Sequence, residues 1–119
     1  MMEVTVEHRD GVIILKPSGR IVHDAGQKLK KVIESQLKQT SKSPNFLFDL
    51  SSVTLIDSSG LGTLIALHLS IAPNHGRIGV INLNPTINKL LQTSKLITIW
   101  QHFDDENQAI TQLQQGIDK

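Results

Sequence analysis

The segment Asp57-Ser58-Ser59-Gly60-Leu61-Gly62 sets two adjacent hydroxyls beside a carboxylate and follows them with two glycines one residue apart. It stands where the apolar run Val53 to Ile56 gives way to a longer apolar stretch beginning at Leu61. Asp and Ser are good helix-capping residues, and a helix start presents unpaired N–H groups with a partial positive charge that favours an anion. A phosphoryl group on Ser58 or Ser59 would therefore be tolerated by the chain's own backbone. Gly60 and Gly62 remove side chains near the same helix start, which lets another protein's backbone or a nucleotide approach closely. The competing explanation is purely architectural: Asp57 or Ser58 caps a helix and the glycines ease a tight strand-to-helix junction, as such residues commonly do.

Other chemistries fail on residue type or spacing. A phosphate loop of the Walker kind needs a lysine followed by Ser or Thr after its last glycine, and Thr63 follows Gly62 directly, so ATP hydrolysis is not expected. The serines miss the G-x-S-x-G nucleophile elbow and no nearby histidine is specified as their base, which argues against a serine hydrolase at Ser58. His8, His23, His68, His75 and His102 are dispersed and read as surface or partly packed residues, not as metal ligands. Asp104, Asp105 and Glu106 are explained by the preference of a first helical turn for acids. Cysteine is absent, which removes disulfides, thiolate metal sites and a thiol nucleophile together. No catalytic, metal or cofactor site is expected.

The elements that must position this segment can be read around it. Val4 and Val6, then Val12 to Leu15, are two strands joined at His8-Arg9-Asp10-Gly11, where Asp-Gly supplies hairpin turn chemistry. Pro17 and Gly19 end or bend the second strand, with a short extension through Val22. From Asp24, a candidate cap, Ala25, Leu29, Val32, Ile33 and Leu37 form the stripe of an amphipathic helix, and Lys28, Lys30, Lys31, Glu34 and Lys38 fall mostly off it. Phe46 to Leu50 reads as a buried strand with Val53 to Ile56 as its brief extension. A helix from the Asp57 turn to about Ala72, a break at Pro73 to Gly76, a strand over Arg77 to Leu83 and a helix over Pro85 to Ser94 follow. A short strand over Ile97 to Trp100 and a last helix from Asp104 carrying Ile110, Leu113 and Ile117 complete the chain.

A hairpin followed by alternating helix and strand predicts an α/β fold with a mixed sheet, antiparallel at its edge and parallel inside, and about four helices. Four helices would leave one face of the sheet thinly covered. At 119 residues the chain is read as one domain, 1–119. In open α/β sheets binding sites gather at the carboxyl ends of strands, which singles out Asp57 to Gly62 by position as well as by type. In the helix that follows, Leu61, Ile65, Leu69 and Ala72 are expected to face the sheet, with Leu64, Leu67 and Ile71 on another side, buried by a neighbouring helix or offered to a partner.

The run Phe48-Asp49-Leu50-Ser51-Ser52-Val53-Thr54-Leu55-Ile56-Asp57-Ser58-Ser59-Gly60-Leu61-Gly62 resembles the signature of STAS domains, specifically bacterial anti-sigma factor antagonists. Leu15 to Gly19, Val80 to Thr93 and Phe103 to Ile110 are similar to further parts of the same pattern, so the resemblance spans nearly the whole chain. It implies that Ser58, directly after the signature aspartate, is phosphorylated by a partner serine kinase that also serves as the anti-sigma factor. It further implies that the unphosphorylated protein binds that kinase and frees a sigma factor, that phosphorylation blocks binding, and that a PP2C-type phosphatase restores it. Asp57, Ser58, Ser59, Gly60, Leu61 and Gly62 are then the partner-binding segment, with Asp57 either orienting the hydroxyl toward the kinase or simply capping the helix. One departure bears on the partner's identity: many members of the family carry an acidic residue soon after the glycine of the first turn, and Gly19 is followed here by Arg20-Ile21-Val22-His23.

Charge and hydropathy bound the remaining alternatives. A net charge of +1, with 39% hydrophobic and 19% charged residues, gives no field that selects nucleic acid or an anionic membrane. The stretch Leu61 to Ala72 is too short to cross a bilayer of about 30 Å, and Met1 to Thr5 lacks the pattern of a signal peptide, so a cytoplasmic location is expected. A second reading within the same resemblance is a STAS subunit of a membrane transport assembly, binding an ATPase subunit without a phosphorylation cycle. Composition does not specify an oligomeric state.

Overall fold

Asp10 and Gly11 both take positive φ, 52° and 82°, the backbone that a two-residue hairpin turn demands. They fold β1 (Glu3–Arg9) antiparallel onto β2 (Val12–Ile21), with Val6 opposite Leu15 and Arg9 opposite Val12. The computed structural model describes residues 2–22, 24–39, 45–71, 77–93 and 100–117. In chain order the remaining elements are α1 (Ala25–Gln39), β3 (Asn45–Asp49), β4 (Val53–Ile56), α2 (Ser58–Ile71), β5 (Arg77–Ile81), α3 (Pro85–Thr93), β6 (Gln101–His102) and α4 (Glu106–Ile117). The described strands make one sheet of order β1-β2-β3-β5-β6, with β4 attached to β2 alone. All pairings except β1 with β2 are parallel, which is the mixed α/β sheet that the sequence predicts.

Strand alternation sends side chains to two cores. Ile13, Leu15, Phe46, Phe48, Ile78 and Val80 face the larger one, where Leu29 and Ile33 of α1, Leu64 and Leu67 of α2, and Ile87 and Leu91 of α3 cover them. Val12, Ile14, Leu47 and Ile81 point the other way, under Phe103 and the Ala109, Ile110 and Leu113 face of α4. That second face is covered by a single described helix. At the hairpin the same face is polar instead: Glu3, Thr5 and Glu7 are exposed, so no apolar surface is left uncovered there.

Two segments differ from the sequence-based expectation. Val53 to Ile56 does not extend β3; a turn at Leu50 to Ser52 separates them, and β4 pairs with the far end of β2. The cause lies in Gly19, whose φ of 91° and accompanying register shift bend β2 after its β3 ladder ends at Leu15, at the point where its β4 ladder begins. Pro17, lacking an N–H, falls in the gap between those two parallel ladders, where no donor is needed on that side. The expected strand over Ile97 to Trp100 is also displaced: Trp100 is a buried bend residue and the strand is Gln101–His102. Ile97 to Ile99 lie outside the described residues, as do Ala72, the Pro73 to Gly76 break and Ser94.

Candidate functional site

Short-range chemistry holds β4 and the turn after it. Gly19 N–H donates to Ser52 O at 2.9 Å, and the Thr54 hydroxyl donates to Gly19 O at 3.2 Å. Asn84 ties in the next helix: its Nδ2 donates to Val53 O at 3.2 Å, while its Oδ1 accepts from Ile87 N–H at 2.8 Å and so caps α3. Pro85 fills the first helical position, where a missing N–H costs nothing. Asp57 then comes alongside β2, donating its N–H to Ile21 O at 3.3 Å.

Asp57 is the cap of α2. Its Oδ1 accepts from Gly60 N–H at 2.8 Å, and its carbonyl accepts the first helical bond, from Leu61 N–H, at 2.9 Å. The architectural explanation thus holds for Asp57. Ser58 occupies the first position of the helix and is exposed. Ser59 is exposed as well, and its carbonyl accepts from the Thr63 hydroxyl at 3.2 Å.

The two glycines play different parts. A Cβ on Gly60 would overlap the Ile21 carbonyl oxygen and lie 2.8 Å from Ile21 Cγ2, so this glycine lets α2 sit directly on β2. The space beside Gly60 is filled from within the domain, and another protein cannot enter it. Nothing lies within 4 Å of a Cβ placed on Gly62, which is exposed. Gly26 of α1 makes the matching approach from the side: a Cβ there would overlap the Thr63 hydroxyl, so α1 and the first turn of α2 interlock.

The expected facing of α2 is reversed. Leu64 and Leu67 are the buried residues, at 0% and 5% exposure, whereas Ile65 and Leu69 are exposed at 40% and 66%. Leu61 is half-buried and packs against the core. Nothing is described of the side chain of Ile71. With Gly60 seated on Ile21, the rotation of the helix is set, and residues four and seven positions further on are carried inward. The outward stripe runs Ser58, Gly62, Ile65, Leu69, spacings of four, three and four, or about 17 Å of helix. It contains no charged residue. Sequence periodicity missed Ile65 and Leu69 as surface residues; the available signal was that α2 is apolar nearly all round and so must leave something uncovered.

The remaining candidate ligands do not assemble. Among the described residues no three His, Cys, Asp or Glu side chains gather as a metal-binding group. His8 shares a 2.8 Å hydrogen bond with Gln36, His68 is half-buried on α2 and His102 is exposed on β6, while His23 and His75 lie outside the described residues. Asp105 caps α4, accepting from Gln108 N–H at 2.8 Å, and Gln108 Oε1 in return accepts from Asp104 N–H at 2.7 Å. That exchange accounts for the Asp105 carboxylate as helix-start chemistry, with Asp104 contributing its backbone N–H.

This arrangement, a capped turn after a strand that leaves the main ladder, coincides with a match of residues 3–109 to the sequence model of the STAS domain. The chain belongs to the STAS domain family. The domain is 27% identical, over 95% of its own length and 96% of the relative's, to a protein named anti-sigma F factor antagonist from Paenibacillus polymyxa. Its fold superposes with a TM-score of 0.81 on an anti-sigma factor antagonist from Mycobacterium paratuberculosis, at 24% identity and covering 95% and 94% of the two chains. The Bacillus cell fate determinant SpoIIAA in its phosphorylated form superposes with a TM-score of 0.72, at 21% identity and 92% and 98% coverage. No helix among the described residues of this STAS domain is long and apolar enough to cross a membrane.

Proposed function

We propose that this STAS domain is a non-catalytic anti-sigma factor antagonist that works by partner switching at Ser58. The observation that carries the reading is the placement of an exposed serine at the first position of α2, at one end of the outward stripe Gly62, Ile65 and Leu69. A docking protein that covers Ile65 and Leu69 also covers the Ser58 hydroxyl. Phosphorylation there would add about −1.5 to −2 charges inside the covered area, where desolvation and repulsion by an apposed carboxylate oppose binding. The same charge at a helix N-terminus is tolerated by the backbone dipoles, and the buried contacts of Gly60, Leu64 and Leu67 are untouched, so the carrier stays folded. Passing from nearly all bound to nearly all free requires about 5.5 kcal/mol of differential affinity.

In this reading the partner is an anti-sigma factor that is also a serine kinase, and a PP2C-type phosphatase resets Ser58. The contact segment is Asp57 to Gly62, with Gly60 acting inward. Asp57 holds the turn in place through its bond to Gly60. The domain acts in the cytoplasm without a cofactor.

The test uses immobilised Ser58→Ala and Ser58→Asp proteins exposed to lysate of the source organism, with bound proteins identified by mass spectrometry. A kinase retained by Ser58→Ala and lost from Ser58→Asp, which with ATP places one phosphate on Ser58 of the wild type, is the expected result. Equal retention by both variants, with an ATPase subunit of a membrane assembly as the retained protein, would replace this reading by the transport one.

A further inference from the structure

We infer that the outward face of α2 pairs with the same face of a second copy of this chain, antiparallel and two-fold symmetric, in a weak homodimer. Gly62, Ile65, Ala66 and Leu69 are the exposed residues at the centre of that face. Their spacings of three, one and three read the same in both directions, and in helical projection they straddle a single line down the surface. Their sizes alternate instead: small, large, small, large. A two-fold axis midway between Ile65 and Ala66 reverses the copy, which brings Gly62 level with the copy's Leu69 and Ile65 level with the copy's Ala66. Every level of the seam then holds one large and one small side chain, so the two faces close with neither clash nor void. The room this requires is present: nothing lies within 4 Å of a Cβ placed on Gly62, and Leu69, the side chain that would settle there from the copy, is 66% exposed.

Charge and area set the character of the pair. The outward stripe carries no charged residue, so two copies meet there without like-charge repulsion. The adjoining cleft adds no net charge either, because one lysine and one glutamate, Lys30 and Glu34, line it together. Recognition by charge has no anchor on such a face, whereas its own reversed copy matches it in both size and neutrality. Gly62 and Leu69 stand about 11 Å apart along the axis and a helix face is about 10 Å wide, so the seam spans on the order of 100 Å² in projection. Stable complexes bury about 800 Å² per partner, and the pair is accordingly expected to dissociate with a constant between about 10⁻⁴ and 10⁻³ M. It covers Ile65 and Leu69 in concentrated solution and yields them to any tighter-binding protein. The inference stands apart from the Ser58 reading, and its test needs only the purified chain.

Amide spectra of the full chain recorded from about 10⁻⁵ M to about 10⁻³ M are expected to show concentration-dependent shifts centred on Gly62, Ile65, Ala66 and Leu69, with sedimentation equilibrium giving a dimer as the associated species. Gly62→Leu sets two large side chains level with each other and Leu69→Ala sets two small ones, so each is expected to weaken association by about tenfold. The double variant Gly62→Leu with Leu69→Ala exchanges large for small at the same level and is expected to recover to within about threefold of the wild type. Circular dichroism checks that all three variants are folded. A chain that stays monomeric throughout the range leaves the stripe to another protein and overturns the inference. Association with its shifts elsewhere, single variants that pair as the wild type does, or a double variant no better than the singles overturns it as well.

Discussion

The two sides of the sheet are closed to different degrees. Against α4, Val12, Ile14, Leu47 and Ile81 are sealed by Phe103, Ala109, Ile110 and Leu113, and the polar residues around them pair with one another. Arg9 reaches Glu106 at 2.6 Å and Asn107 at 2.6 Å, and Lys16 reaches Glu7 at 3.1 Å and Glu106 at 3.6 Å. On the opposite side α2 turns Leu64 and Leu67 inward and leaves Ile65 and Leu69 in water. One side satisfies itself, and the other leaves large apolar side chains exposed. Ser58 is exposed at the start of that same helix, which is where the proposed switch would place its charge.

The contrast breaks most visibly in the leucines. Leu113→Ala removes a fully buried side chain of α4 and is expected to cost about 2–5 kcal/mol, whereas Leu69→Ala, at 66% exposure, is expected to stay within about 0.5 kcal/mol. Urea unfolding followed by circular dichroism reads both. Comparable losses would mean that Leu69 is covered within the free protein and that the open flank does not exist.

The same contrast recurs within one turn of α2. Gly60→Ala drives a methyl into the Ile21 carbonyl and is expected to destabilise by about 1–3 kcal/mol. Gly62→Ala meets empty space and replaces a poor helix former, so a gain of up to about 1 kcal/mol is expected from the same measurement. A loss at Gly62 would show that the position is packed.

The smallest effect sharpens the polar half of the comparison. Burial pushes the Asp49 carboxyl upward, but hydrogen bonds from the Asn82 amide and from Ser51, with the nearby Lys16 charge, outweigh it and hold the carboxyl below the ordinary 3.8. A lowered carboxylate contributes stability that is present above its unfolded value and disappears as pH falls through its folded value. Lys16 runs in the opposite direction: its hydrogen bond to Glu7, opposed by desolvation and aided by Glu106, raises it above 10.5, so its contribution is complete below that value and fades as pH climbs past the folded one. Asp49→Asn should therefore lose less stability than the wild type between neutral pH and pH about 3. An unchanged pH dependence would remove Asp49 from the self-satisfying side.

What the sequence disclosed and what it concealed follow the range of the interactions involved. The Asp10-Gly11 turn, the bend at Gly19, the α1 stripe and the Pro85 helix start are local, set by a few dihedrals or one helical period, and all are where the residues indicate. The pairing of β4 with β2 depends on contacts between residues more than thirty positions apart, such as Gly19 with Val53, and no local pattern announces it. The rotation of α2 was illegible for another reason: with Leu61, Leu64, Ile65, Leu67 and Leu69 spread around the helix, periodicity has no direction to report, and only the seat of Gly60 on Ile21 chooses one. Asp57, Ser58 and Gly62 were legible by type, while Asn84, which bridges α3 to β4, carries only the signal of a cap before Pro85.

The chain's one tryptophan, Trp100, is 3% exposed and stacked on Phe48 with ring centroids 5.4 Å apart and planes inclined by 5°. The indole belongs to the interior beneath the helices, so its native emission should report loss of the core and stay silent when a protein settles on the outer surface of α2. Denaturation can therefore be followed from the unlabelled molecule without interference from docking, which needs a label of its own.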